Sequence, residues 1–436
     1  MSYRLLRSVF FMAQSATFCL TLALGVSATP IGGLMTPQPE VRIGERLRFY
    51  RQAKGKTQAV VAGLAGVTED YLSQIERGLK TPTLPLVHRF SKILGVRVSE
   101  LLGESATEHD ERVHPVGYAV QRALMSYSGM DGSPDLVSLR GRVDAAWSIW
   151  QGSPRRYTEI SEVLPGLITD VQAAQRGLAR VASSAERRDV ERIGADMAFL
   201  LRTFTKRIGR TDLSLLVADR GVLAAEAADD PIRMAGAKWN LGHILLAQGE
   251  ADGAEEVAMG AIEDLRRDTS GDDVDAVGMT GALWLVSAVA AVRNNDPWTA
   301  RDRIRDNALP AARATGDTNV MWTVFGPTNV GLHAVSVEVE MGEASEALRL
   351  ADDVDISRTP SLERKTTFAL EVARCYEQRR DDPGVFLHLV TAEQSGPEDM
   401  RYNTLARDLV QGLLKRARPT YAPQVRALAK RIDLLT

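Results

Sequence analysis

The chain has 436 residues, 44% of them hydrophobic, and 53 Lys or Arg against 56 Asp or Glu. Its two cysteines, Cys19 and Cys375, exclude a disulfide framework and suit a reducing cytoplasm. The net charge of −3 hides a split: Val41 to Glu104 holds eleven basic against six acidic side chains, and residues 105–436 hold forty against forty-nine. A polyanionic partner would therefore meet the first segment and not the second.

The chain opens with Arg4 and Arg7, an apolar run from Val9 to Val26, and Val26-Ser27-Ala28, which together imitate a secretory signal and its cleavage site. Gln14, Ser15, Thr17 and Thr21 interrupt the run and make it a poor membrane span. Met35 begins a short polar lead-in, so translation is expected to start there and residues 1–34 to be absent from the native protein. On that start the protein meets no membrane. A membrane-tethered protein is the alternative, and mass spectrometry of the native N-terminus separates the two.

Next come short helices. Arg42 to Gln52 carries Ile43, Leu47 and Tyr50 or Phe49 at helical spacing. Thr57 is an N-cap for a helix with Ala59, Val60, Val61, Ala62 and Leu64 on its apolar side. Gly66-Val67 makes a turn, since Gly tolerates left-handed backbone. Thr68 caps the following helix, whose first turn holds Glu69 and Asp70 where the dipole favours anions. Leu72, Ile75 and Leu79 are expected in the core, leaving Glu69, Asp70, Tyr71, Ser73, Gln74 and Arg77 elsewhere, and Gly78 ends the helix. A fourth helix carries Leu84, Leu86, Val87, Phe90, Ile93 and Leu94, and Ser99 to Leu102 adds a capped turn. Two helices joined this tightly can seat the second in a DNA major groove.

From Arg42 to Gly103 the sequence resembles the Xre family of helix-turn-helix proteins, the phage-repressor and Cro type. The likeness rests on Thr57-Gln58-Ala59, Gly66-Val67-Thr68, Ile75-Glu76-Arg77-Gly78 and Leu94-Gly95-Val96. It implies a five-helix, DNA-binding domain. It places Gln58 against a phosphate, Thr68, Glu69, Asp70 and Gln74 at base edges, and Arg77 and Lys80 near the DNA backbone. Tyr71 and Ser73 share that surface. It makes Arg51 and Glu76 a buried structural ion pair. Gln74 could pair bidentately with adenine, whereas Glu69 and Asp70 either accept from cytosine or merely cap the helix.

Residues 103–118 and 126–135 are rich in Gly, Ser, Pro, Asp and His and read as a linker around a short helix. The expected organisation is an extension over 1–40, the helix-turn-helix domain over 41–103, a linker over 104–134 and a helical repeat domain over 135–436. The last part shows no strand alternation. Around Trp239-Asn240-Leu241-Gly242, small residues at Gly242, Gly249, Ala254 and Ala261 fall at tetratricopeptide spacing. Similar units recur at Ala300, at Ala347 and from Val372 to Ala392. The expected fold class is all-α, a helix-turn-helix domain followed by a solenoid of degenerate helix pairs.

As a whole the chain resembles actinobacterial Xre-type regulators with tetratricopeptide-like C-terminal regions. Trp147 to Tyr157, Leu164-Pro165-Gly166-Leu167 and Met400-Arg401-Tyr402-Asn403 carry that likeness. Related peptide-sensing regulators hold a peptide on the concave face, which points to Trp239, Asn240, His243, Asn329 and His333 as effector contacts. The competing reading makes Trp239, Trp284 and Trp322 core fillers.

Catalytic readings have little support. No His-Glu-x-x-His, Cys-x-x-Cys or Gly-rich phosphate loop occurs. His109 to His114 could gather a metal, but it reads more simply as a solvated charge run in the linker. Asp229-Asp230, Asp272-Asp273 and Asp381-Asp382 are expected to cap or solvate helix ends. No metal or cofactor is expected. The expectation is a cytoplasmic, dimeric transcription regulator bound to an operator duplex, with an effector that is a peptide or small molecule. The alternative is an interaction scaffold whose repeats bind a protein and whose N-terminal domain docks.

Overall fold

The computed structural model describes residues 43–94, 96, 101, 116–126, 135–181 and 183–435, and every regular element among them is helical. The signal-like stretch, Met35, most of the turn from Ser99 to Leu102 and the run from His109 to His114 lie outside those residues. The chain separates into two compact units, Met1–Glu108 and His109–Thr436.

In the first unit α1 (Ile43–Ala53), α2 (Gln58–Ala65), α3 (Glu69–Glu76) and α4 (Leu84–Leu94) enclose Leu47, Val61, Leu72, Ile75 and Phe90. Local chemistry sets the boundaries. Thr57 Oγ1 accepts from the Val60 amide at 3.3 Å and Thr68 Oγ1 from the Tyr71 amide at 3.2 Å. Gly66, at φ +69°, turns the chain between α2 and α3. Gly44 lets α1 lie directly on α3, because a Cβ there would stand 1.9 Å from the Ile75 carbonyl oxygen. Leu101, in the expected fifth turn, is helical and buried.

Four apolar side chains expected inside are outside, Ala59 among them. Leu79 is 67% exposed and Leu64 61%, and Val60 is also exposed. An eight-residue helix has room for one buried stripe, which Val61, Ala62 and Ala65 occupy. Leu79 follows Gly78, whose φ of +73° carries the chain off the α3 axis.

The second unit is a helical solenoid. Its elements begin with α5 (Val116–Met125), α6 (Leu136–Gly152), α7 (Arg156–Val181), α8 (Ser184–Arg207) and α9 (Thr211–Ala227). Then follow α10 (Pro231–Gln248), α11 (Ala251–Asp268), α12 (Val274–Arg293), α13 (Pro297–Asp302) and α14 (Leu309–Thr315), the last two joined through a π-helical turn. The chain continues through α15 (Pro327–Met341), α16 (Ala344–Asp352), α17 (Leu362–Gln378) and α18 (Asp382–Ser395). It ends with α19 (Pro397–Tyr402), α20 (Thr404–Arg416) and α21 (Ala422–Arg431). Consecutive helices pack as pairs, and α8 on α10, α10 on α12 and α15 on α17 stack in register, the arrangement of a solenoid. Ala254, Ala300, Ala347 and Ala392 are buried at the pair interfaces. Asp230, Asp273 and Asp381 accept backbone amides as N-caps.

The short helix placed in the linker belongs to this unit. Val120 and Leu124 of α5 are buried in its core, and α5 packs on α7. The apolar helix α12, at mean hydropathy 1.6, is long enough to cross a membrane, but 67% of its apolar stretch is buried within the fold.

The solenoid turns back on itself. Trp147 of α6 stacks on Trp322 with centroids 4.7 Å apart, and Gln151 exchanges amide hydrogen bonds with Asn319. Arg156 meets Asp399 across 243 residues of sequence. The segment that fills the centre is strained: Met321, Trp322 and Val324 have φ of 45°, 56° and 53°. Such backbone costs on the order of 1–3 kcal/mol per residue and persists where surroundings over-determine it.

Candidate functional site

Two sites emerge, one in each unit. The first is the leading face of α3. Glu69 and Asp70 are exposed in its first turn, with Ser73 and Gln74 half-buried beside them. Gln74 Nε2 donates to Asp70 Oδ2 at 2.6 Å, which fixes the amide while leaving its oxygen and second amide hydrogen open. Lys80 Nζ lies 5.0 Å from the Tyr71 ring centroid, so Tyr71 supports the cation at the far end of the face. Arg77 is exposed, and its Nε donates to the Ser73 carbonyl at 3.3 Å.

A buried network orients α3. Arg51 Nε donates to Glu76 Oε1 at 2.6 Å and Nη2 to Oε2 at 2.8 Å, a bidentate pair joining α1 to α3. The bond to Glu76 holds the Arg51 proton more firmly than usual. Gln58 Nε2 donates to the same Glu76 Oε2 at 2.8 Å. Gln58 thus ties α2 to α3 in addition to any outward role.

The second site is a cavity of about 150 Å³ at the centre of the solenoid. Trp147, Trp150, Trp239 and Trp322 wall it, and Arg202, Lys206, Arg207 and Arg364 face it with the single carboxylate of Glu363. Trp239 and His243 of the expected effector set line this space, their rings in edge contact at 4.4 Å. Trp239 and Trp322 therefore serve as both packing and cavity wall. His243 is held neutral, since burial and then Lys206 and Arg202 push its imidazole well below the ordinary value.

Asn240 does not face an open groove. It is 1% exposed, its Oδ1 accepts from Arg202 Nε at 2.5 Å and its Nδ2 donates to the Gly236 carbonyl at 2.8 Å. Its amide is spent on orienting Arg202. Asn329 and His333 are buried away from this cavity. His333 Nδ1 is 2.9 Å from the Asn329 carbonyl, and its ring borders a smaller space shared with Arg364. The sequence reading missed Arg202, Lys206 and Arg364. A signal existed, because Arg202 and Lys206 sit one turn apart at the end of the helix, after the apolar run Met197-Ala198-Phe199-Leu200-Leu201, where charge is costly.

Burial dominates the electrostatics here. It pushes the Arg202 guanidinium down to about 9. Burial, then Arg202 and Arg207, take the Lys206 ammonium from 10.5 to about 7. Against its own burial, Glu363 is held well below the usual carboxylate range by Arg207, Arg156 and Arg364. Between about 7 and 10.5 the unfolded chain carries a Lys206 proton that the fold lacks. Stability of the second unit should therefore rise with pH across that window. Thermal melts at pH 7 and pH 9 should show the rise in the parent chain, and Lys206→Met should flatten it.

The Helix-turn-helix domain family model matches residues 42–102, the segment that builds the α3 face. Over 70 residues the chain is 43% identical to the HTH-type transcriptional regulator SinR of Bacillus licheniformis. That match covers 16% of this chain and 63% of SinR, just under two thirds of its length. It is 35% identical over 60 residues to the uncharacterized HTH-type transcriptional regulator y4dJ of Sinorhizobium fredii (strain NBRC 101917 / NGR234), across 14% of this chain and 78% of that protein. The crystal structure of Bacillus thuringiensis PlcR in complex with the peptide PapR7 and DNA aligns with 81% of this chain and 94% of its own. That alignment has 7% identity and a TM-score of 0.22, too loose a superposition for residue equivalences. Caps, turn, core and matched segment agree: the chain belongs to the helix-turn-helix transcriptional regulators of the Xre type.

Proposed function

We propose that the chain is a sequence-specific, dimeric DNA-binding regulator of transcription, and that its helical unit senses an effector. The observation that carries this reading is the exposed leading face of α3, held at a set angle by the Arg51–Glu76–Gln58 network. Thr68, Glu69, Asp70, Ser73 and Gln74 would meet base edges, with Thr68 also capping the helix, while Tyr71, Arg77, Lys80 and Gln58 would serve the phosphates. One eight-residue helix reads few base pairs, so two copies would bind half-sites roughly 34 Å or a multiple apart. The effector would act through differential affinity for two arrangements of the paired heads. The cytoplasm is the compartment this role requires.

Genome-wide footprinting followed by fluorescence anisotropy on the selected duplex tests the proposal. Gln74→Ala should relax base preference at one position, at a cost of about 1–3 kcal/mol. Lys80→Ala should weaken all duplexes alike and reduce the salt slope by about 1. Equal, weak binding to every duplex would instead favour a scaffold whose first unit only docks. Unchanged selectivity in Gln74→Ala would remove that residue from the reading face.

A further inference from the structure

The central cavity holds more positive charge than the fold neutralises. Among the described residues, Arg207 is paired with Glu363, its Nε donating at 2.9 Å. Arg202 is 4% exposed and reaches only the neutral Asn240, and its Nη2 is buried with no hydrogen-bond partner. Among the described residues, neither Lys206 nor Arg364 has a carboxylate within ion-pair distance. Glu371, which borders the smaller space beside Arg364, accepts from Ser336 at 2.7 Å. An uncompensated buried cation such as Arg202, with two half-buried cations beside it, opposes folding unless something occupies the space between them.

The walls narrow the choice of occupant. Four tryptophans surround the cations, and the Arg202 guanidinium lies 5.2 Å from the Trp239 ring centroid. Ser361, Glu363 and Arg364 border the cavity from the first turn of α17, whose dipole adds positive potential there. The strained residues Trp322 and Val324 also line the space. A volume of about 150 Å³ is the scale that accepts one benzene ring, far below that of a peptide of several residues. The larger cavity beside Leu124 and Met197, about 430 Å³, is mainly apolar, and the Gln175 and Glu191 side chains on its wall are already bonded to each other.

We propose that this cavity binds a small organic anion, a carboxylate or phosphate ester on a compact planar body, with Arg202, Arg364 and Lys206 taking the charge and the tryptophans the ring. This deepens the regulator reading by naming the chemical class of the effector. Bidentate guanidinium contacts suit carboxylate and phosphate equally, so the two sources share one site chemistry. Arg202 Nη2 supplies the unspent donor. An anion would also stabilise the protonated form of Lys206, so binding near pH 7.5 takes up a proton.

The full chain is titrated with benzoate, phenyl phosphate, inorganic phosphate and neutral benzamide, following intrinsic tryptophan fluorescence and the thermal midpoint. The expected result is saturable quenching and a raised midpoint with benzoate or phenyl phosphate, and binding at least tenfold weaker for benzamide and inorganic phosphate. The tighter of the two aryl anions identifies the head group. Arg202→Met and Arg364→Met should each weaken binding at least tenfold while leaving the ligand-free midpoint equal or higher, because each removes an uncompensated cation. A merely structural arginine would lower that midpoint. Should Arg202→Met fail to fold, Arg364→Met, whose guanidinium makes no hydrogen bond or ion pair among the described residues, carries the test alone. The proposal is overturned if benzamide binds as well as benzoate, if no aryl anion binds, or if Arg364→Met binds as the parent chain does. Duplex binding, measured separately by anisotropy, distinguishes failure of the regulator reading: lost DNA affinity with intact anion binding leaves this site standing.

Discussion

Glu76→Ala should unfold the first unit of this chain while leaving the second folded. Arg51 is buried, with its guanidinium bonded twice to Glu76 and once, through Nη1, to the Lys56 carbonyl at 3.0 Å. Removing the carboxylate strands that charge and also releases Gln58. Breaking one partner of a buried pair costs about 3–5 kcal/mol, comparable to the whole stability of a domain of about 60 residues. Calorimetry of the full chain should show one transition shifted to low temperature or lost, and the other unchanged. Glu76→Gln keeps an acceptor and should lose less. A Glu76→Ala variant melting within about 1 kcal/mol of the parent would show that the pair does not hold α3 in place.

The second large effect is expected at Asp399. Arg156 is 1% exposed, and among the described residues its partners beyond Asp399 are all neutral: the Trp150 carbonyl at 3.3 Å and the Trp150 and Tyr157 rings, 4.6 and 5.5 Å to their centroids. Tyr157 also donates to Asp399 Oδ1 at 3.2 Å. Asp399→Ala should therefore destabilise the second unit by about 3–5 kcal/mol and loosen the join between its beginning and its end. Burial lifts the Asp399 carboxyl above its usual range despite Arg156, which indicates that desolvation offsets most of the attraction. The double variant Arg156→Met with Asp399→Leu should then recover most of what Asp399→Ala loses. Denaturant melts of the parent, both singles and the double measure this. A double variant as unstable as the sum of the singles would contradict it.

The exposed Leu79 and Leu64 show where local pattern stops being informative. Periodicity marks which side chains can face a core, but the size of the core sets how many do. In the eight-residue α2, Val61, Ala62 and Ala65 take the one buried stripe, and apolar residues off it have nothing to pack against.

The sequence by itself determined the helix-turn-helix architecture, because caps, turn and stripe lie within four residues of the atoms they satisfy. Thr57, Gly66 and Thr68 act on neighbouring amides and on their own backbone, so their roles do not depend on distant chain. It also showed the all-helical character of the second unit and the small residues at its pair interfaces. Only the tertiary structure decided what stands at the centre. The cavity draws Trp147, Arg202, Trp239, Trp322 and Arg364 from five segments, brought together by the accumulated rotation of stacked helix pairs. That rotation sums many small packing angles, and no residue spacing encodes it. The packing of α10 on α8 set Asn240 against Arg202 instead of in an open groove.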